Sequence, residues 1–169
     1  MTSSDIQRVL NRIAHEVFEQ NRGCAELVIV GLQTGGVWVA EALCNLLVKI
    51  ASFPCAVGSL DISLYRDDHA LRPLIKSSLT DVPVSVQDKT VLLVDDVLFT
   101  GRTVRAALEA ILDFGRPRAI QLAVMVDRGH RELPIRPDYV GKNLPTSRNE
   151  KVEVTEQGIK ILKEVGNAP

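Results

Sequence analysis

One run constrains this chain more than any other: Val91-Leu92-Leu93-Val94-Asp95-Asp96-Val97-Leu98-Phe99-Thr100-Gly101-Arg102-Thr103. Residues 91–94 are apolar, half of them β-branched, without alternation, the pattern of a strand buried on both faces at the centre of a parallel sheet. Helical spacing begins at Thr103 and runs to Leu112, so the residues between form a loop at the carboxyl end of a strand. Ligands of open α/β sheets bind at that edge, and Gly101 before a helix start offers backbone N–H groups and a positive dipole end to a phosphate. Thr100 and Thr103 add hydroxyl donors. Asp95 and Asp96 repel a phosphate but accept hydrogen bonds from vicinal hydroxyls. Helix capping alone explains an Asp-Asp pair, but it does not call for hydroxyls on both sides of the glycine. Taken whole, the run reads as a site for a ribose 5-phosphate.

The remaining chain supplies an alternation of strands and helices. Ser4 with Gln7 suggests a capping box, and Ile6, Val9, Leu10, Ile13 and Val17 make one helical stripe that ends near Arg22-Gly23. A buried strand is expected at 27–30, a loop at 31–36 and a helix at 37–50. Further strands are expected at 55–64 and 120–126, and a β-hairpin at 151–165 around Glu156-Gln157-Gly158. Residues 65–88, with mixed charge and little periodicity, read as a functional lid. The pattern predicts a single domain, residues 1–169: an α/β, doubly wound, mostly parallel sheet with a lid at about 65–88 and a small hood from about 127 plus the C-terminal hairpin.

Composition narrows the class. The chain has 169 residues, 46% of them hydrophobic and 24% charged, enough to bury a core. A net charge of −1 argues against a wholly basic nucleic-acid binder but leaves room for a local patch. Cys24, Cys44 and Cys55 lie in apolar contexts without metal spacing and read as reduced core thiols. The start is amphipathic, and no run approaches a membrane span, so a cytoplasmic protein with no membrane partner is expected. Trp38 reads as core or as an interface anchor.

The 91–103 run resembles the phosphoribosyl-pyrophosphate (PRPP) signature of type I phosphoribosyltransferases. By that resemblance Asp95 and Asp96 bind the ribose hydroxyls, and Thr100, Gly101, Arg102 and Thr103 cradle the 5-phosphate. Val97, Leu98 and Phe99 complete the nucleotide-binding run. Thr34, Gly35 and Gly36 match the family's pyrophosphate loop, where glycines allow close backbone approach. The family pattern has Arg where this chain has Gly35, so a pyrophosphate contact is missing unless Arg66 from the lid supplies the charge. Arg66, Asp95 and Asp96 are the catalytic candidates.

Longer strings narrow the resemblance: Arg12-Ile13-Ala14-His15, Leu60 to Asp68, and Asp127-Arg128-Gly129-His130-Arg131-Glu132-Leu133-Pro134-Ile135-Arg136. These resemble the pyrimidine-operon attenuation regulators that are also uracil phosphoribosyltransferases. Phe99 supports this, because it stands where 6-oxopurine transferases carry an Asp able to take a proton. The resemblance implies conversion of uracil and PRPP to UMP and pyrophosphate with Mg²⁺, bound through ligand, water and the carboxylates of Asp95, Asp96 and Asp127. Phe99, Val126, Asp127 and Arg128 are the base-site candidates. Arg12, His15, Arg131, Arg136, Lys142 and Thr146 match the surface that binds pyrimidine-operon leader mRNA under control of UMP or UTP. On charge alone, solvated surface charges or PRPP ligands are the favoured reading of the basic 128–151 segment, which includes Arg148 and Lys151. A homodimer or homotetramer is implied. Three readings stand: an enzyme that is also an RNA attenuator, a uracil phosphoribosyltransferase without regulation, and a nucleotide-sensing regulator with little catalysis.

Overall fold

The computed structural model describes residues 1–65 and 80–163. In chain order the elements are α1 (Ser3–Asn21), β1 (Leu27–Leu32), α2 (Gly36–Ala51), β2 (Ala56–Leu60), β3 (Thr90–Leu98), α3 (Arg102–Ile111), β4 (Ala119–Asp127), β5 (Tyr139–Asn143), β6 (Glu150–Thr155) and β7 (Gly158–Lys163). One-turn 3-10 helices at Ser63–Tyr65 and Leu112–Phe114 follow β2 and α3.

Five strands form one sheet in the order β2-β1-β3-β4-β5, and every pairing is parallel. All six residues of β1 are buried, as are the first six of β3, because helices cover both faces of the sheet centre. One core contains Ile6, Leu10 and Ile13 of α1 with Val39, Leu43 and Leu47 of α2. The other lies under α3 and contains Val28, Val30, Leu93, Val104 and Ile111. This is the doubly wound architecture the sequence pattern predicts. Trp38 is half-buried against the first core, Cys24 and Cys44 are buried, and Cys55 is half-buried.

Several boundaries differ from expectation for identifiable reasons. The α1 N-cap is Thr2, not Ser4: the Asp5 backbone N–H donates to Thr2 Oγ1 at 3.3 Å, and the Asp5 carboxylate accepts from the Thr2 backbone N–H at 2.9 Å. These bonds hold the Asp5 carboxyl below the usual range. The expected 55–64 strand stops at Leu60, where Asp61 accepts a bond from the Ser63 backbone N–H and turns the chain. Residues 139–143, expected within the hood, instead form β5, an edge strand of the main sheet. Its carbonyls at Val140 and Gly141 accept from Arg12 of α1, at 3.0 and 2.8 Å, so a side chain covers the open edge.

The expected lid divides. Residues 66–79 lie outside the described residues. Its return limb is fixed: Ser59 of β2 and Asp81 exchange both backbone hydrogen bonds, and Val86 is fully buried in the second core. The β6–β7 hairpin packs Val152 and Val154 onto the first core and is joined to the start of the chain by a Thr2–Gly158 bridge.

Candidate functional site

The carboxyl ends of β1 and β3 lie side by side, because Gly31 pairs with Val94 in register. Each strand then delivers a loop and a helix, and the helices leave on opposite faces of the sheet. Beyond β1, Gln33, Thr34 and Gly35 open α2; beyond β3, Thr100 and Gly101 open α3. Gly101 is the N-cap of α3 with φ 93°, a left-handed conformation that favours glycine. The Gln33–Thr34 peptide is cis.

Between these loops lies a cavity of about 360 Å³ lined by Thr34, Gly35, Asp95, Asp96, Phe99 and Thr103, among others. Asp95 and Asp96 are the sixth and seventh residues of β3, not loop residues, so strand pairing holds both backbones. Asp95 is 7% exposed, and its Oδ1 accepts from the Asp96 N–H at 3.0 Å. The Asp96 Oδ1 accepts from the Val97 N–H at 2.8 Å. A Cβ at position 35 would stand 2.1 Å from Asp96 Oδ2, so the carboxylate fills the space that the missing side chain leaves. Carboxylates fixed beside two helix starts can take ribose hydroxyls while the helix starts take anionic groups.

The far wall is built around Phe99. The Arg128 guanidinium lies 4.1 Å from the ring centroid, and the His130 ring meets its edge at 5.8 Å and 76°. Arg128 is 6% exposed and donates from Nε to Thr146 Oγ1 at 3.0 Å and from Nη2 to the Ser147 carbonyl at 2.8 Å. His130 bonds the Thr146 carbonyl through Nε2, so it serves as a loop tie. The loop itself is strapped to the strand end, since the Glu132 and Leu133 backbones both donate to the Thr100 carbonyl.

Of the expected site residues, Thr34, Gly35, Asp95, Asp96, Val97, Leu98, Phe99, Thr100, Gly101, Thr103 and Arg128 share this cavity. Gly36 is the first residue of α2 and is buried, with a Cβ there 2.2 Å from the Val94 carbonyl. Arg102 points away from the cavity wall and pairs with Glu132 at 2.8 Å. Val126 is fully buried in the first core, so only its backbone is left to meet a base, as expected of the 126–136 loop. Asp127 accepts from the Gly129 N–H and from the Arg131 guanidinium, which places it behind the cavity wall. Arg66 lies outside the described residues. Three further residues line the cavity that were not named as site residues: Gln33, Lys151 and Val152. Nothing local in the sequence marks the last two, since the hairpin reaches the cavity only through tertiary packing.

The donor set bears on metal binding. Asp95 and Asp96 offer hard oxygen atoms, and among the described residues no cluster of three or more metal-binding side chains occurs. Such a set fits a cation carried mainly by ligand and water oxygens, with one or two protein carboxylates.

The residues expected to meet RNA separate into two kinds. His15, Arg136 and Lys142 are exposed. Arg12 donates to Glu16 and to the β5 carbonyls, Arg131 donates to Ile135 O, Phe99 O and Asp127, and Thr146 accepts from Arg128. The structure uses this second group in holding β5 and the 128–147 segment in place.

A family model described as a phosphoribosyl transferase domain matches residues 2–157. The chain is 53% identical over 160 residues to "Bifunctional protein PyrR" of Latilactobacillus sakei, covering 93% of this chain and 89% of that protein. It is 56% identical over 156 residues to the protein of the same name from Limosilactobacillus fermentum, covering 89% and 86%. Among solved structures, the hypoxanthine phosphoribosyltransferase of Trypanosoma cruzi superposes with a TM-score of 0.74 at 20% identity, over 96% of this chain and 94% of that one. A hypoxanthine-guanine phosphoribosyltransferase from Bacillus anthracis gives 0.69 at 18% identity, over 86% and 82%. These two likenesses concern the fold. No helix among the described residues is long and apolar enough to cross a membrane.

Proposed function

The chain belongs to the phosphoribosyltransferase domain family and, within it, to the group of bifunctional PyrR proteins; from that premise we propose that it converts uracil and PRPP to UMP and pyrophosphate and regulates pyrimidine genes by binding their leader mRNA. The observation that carries the enzymatic half is the cavity in which two helix-opening loops converge on Asp95 and Asp96 beside Phe99.

In this reading the Asp95 and Asp96 carboxylates accept the 2- and 3-hydroxyls of the ribose. The N–H groups and hydroxyls of residues 100–103 hold the 5-phosphate at the start of α3, and Thr34 with Gly35 holds the pyrophosphate at the start of α2. The bond from C1 to pyrophosphate breaks as the bond from C1 to uracil N1 forms, through a state with oxocarbenium character, and the N1 proton passes to the departing pyrophosphate or to water. Mg²⁺ would neutralise the leaving pyrophosphate, and Asp95 and Asp96 are the cavity carboxylates that would help to hold it. Phe99, with Arg128 stacked on it, offers a flat wall for uracil and no group to take a proton. Catalysis then rests on positioning and on stabilising the leaving group, with no covalent nucleophile.

The regulatory half is supported by the relatives' shared name and by the exposed cationic side chains of Arg136 and Lys142 with His15. UMP in the ribose-phosphate cavity tightens RNA binding to the extent that it favours the RNA-competent state, and RNA must tighten UMP equally. Two measurements run side by side test both halves: uracil-dependent release of pyrophosphate, and gel-shift titration with a pyrimidine-operon leader RNA against a scrambled one. Pyrophosphate release with no preference for the leader leaves the enzyme alone; a preference without release leaves a nucleotide-sensing regulator.

A further inference from the structure

The described wall of the cavity carries two cationic side chains, and they differ in what they already do. Arg128 is buried, its guanidinium divided among Thr146, Ser147 and the Phe99 ring. Lys151 of β6 is 63% exposed, and its contact with a protein anion is a pairing with Glu153 at 3.9 Å, the outer limit of an ion pair. An exposed pair of that kind contributes little, so its ammonium turns to another anion at small cost.

The side of the sheet on which Lys151 stands selects the anion. Its neighbours Val152 and Val154 pack in the first core with Val39 and Ala40 of α2. The Thr34–Gly35 loop opens α2 on that same face, whereas the loop at 100–103 opens α3, whose Val104 belongs to the second core. The hairpin therefore brings Lys151 to the cavity from the side of the β1–α2 loop. We infer that Lys151 is a phosphate-binding residue of this site, its ammonium meeting the pyrophosphate group of the ribose-phosphate donor across the cavity from Thr34 and Gly35. The inference rests on the reading of the site as a PRPP site, and it deepens that reading by giving the C-terminal hairpin a part in the chemistry.

Calorimetric titration with Mg²⁺ present compares PRPP, which carries a pyrophosphate, with UMP, which carries a 5-phosphate alone. The proteins are wild type, Lys151→Met, Lys151→Arg, and Lys160→Met as a charge-matched change on the exposed face of the same hairpin. Lys151→Met is expected to weaken PRPP about tenfold, the worth of about 1.4 kcal/mol, while UMP changes less than about threefold. Lys151→Arg restores most of the loss, and Lys160→Met leaves both ligands unchanged. Equal PRPP affinity in wild type and Lys151→Met overturns the inference and leaves the PRPP reading standing. An equal loss of PRPP and UMP, or a loss as large in Lys160→Met, also overturns it, since either marks a general charge effect. Wild-type protein that binds UMP but no PRPP overturns the reading itself and the inference with it. Because the side chain is exposed, unchanged urea midpoints across the set are expected to accompany these affinities.

Discussion

Replacing Arg128 by Met should show how much of the base wall depends on a single guanidinium. The side chain is 6% exposed and donates to Thr146 Oγ1 and Ser147 O at 3.0 and 2.8 Å. Hydrogen bonds from a charged donor contribute roughly 1.5–3 kcal/mol each, and the low end applies because Thr146 is half-exposed and Ser147 exposed, so water regains both acceptors. The guanidinium over Phe99 adds about 0.5–2 kcal/mol. The Met side chain keeps apolar contact with the ring and returns roughly 1 kcal/mol of this. The net loss is then about 2–4 kcal/mol of folding stability. With a urea slope of about 2 kcal/mol/M, the midpoint falls by roughly 1–2 M. A double-mutant cycle with Phe99→Leu isolates the stacking, with an expected coupling of about 0.5–2 kcal/mol. Base affinity should fall in both single variants. A coupling below about 0.3 kcal/mol would refute the reasoning, because the two groups would then not be stacked in solution.

Asp96→Asn keeps an oxygen for the Val97 N–H but removes the charge, and should weaken PRPP about tenfold without changing the urea midpoint; unchanged affinity by calorimetry sinks the ribose assignment. Gly35→Ala is compatible with the backbone there, at φ −74° and ψ −29°, so stability should hold or rise slightly. Its Cβ would displace the Asp96 carboxylate into another rotamer and weaken PRPP about three- to tenfold, and an Ala variant that binds like wild type contradicts the placement of that carboxylate. Burial pushes the Tyr139 phenol above its usual value near 10, so the neutral form's stabilisation is fully present below about pH 10 and is lost as pH rises through the higher folded value. Tyr139→Phe should therefore flatten the alkaline fall in urea midpoint. The comparison is best made in a Tyr65→Phe background, because the hydrogen bond to Asp113 pushes Tyr65 the same way, and parallel alkaline profiles would count against it.

The sheet's interior was legible because β1, β3 and β4 are buried on both faces, which forces unbroken apolar runs. Asp95 and Asp96 line the cavity where the sequence pattern puts them, but they were not legible as strand residues. Two charges in succession look like the end of a strand, yet the pairings of Asp95 with Val124 and Val97 with Val126 carry β3 past them. β5 escaped because Tyr139-Val140-Gly141-Lys142-Asn143 follows a segment rich in Arg and Pro and contains a glycine; its strand state comes from β4 on one side and Arg12 on the other. Gly141 is required there by close approach, since a Cβ would meet the Met125 carbonyl at 2.4 Å. The hairpin was expected, but its reach to the cavity follows from Val152 and Val154 joining the first core and from β6 meeting β3, contacts that no local pattern encodes.

The distribution of the cavity along the chain bears on how it is made. Every pairing in the five-stranded sheet is parallel, so each strand must wait for a distant partner, and such topologies fold slowly. During synthesis β1 leaves the ribosome long before β3, which supplies the carboxylates, and the wall holding Lys151 and Val152 follows later still. A nascent chain that has reached α3 already carries both helix-opening loops, but it has neither the Phe99–Arg128 wall nor the hairpin to enclose them. The cavity is thus enclosed only once β6 has been made, and a chain stopped after α3 holds the two loops without their wall.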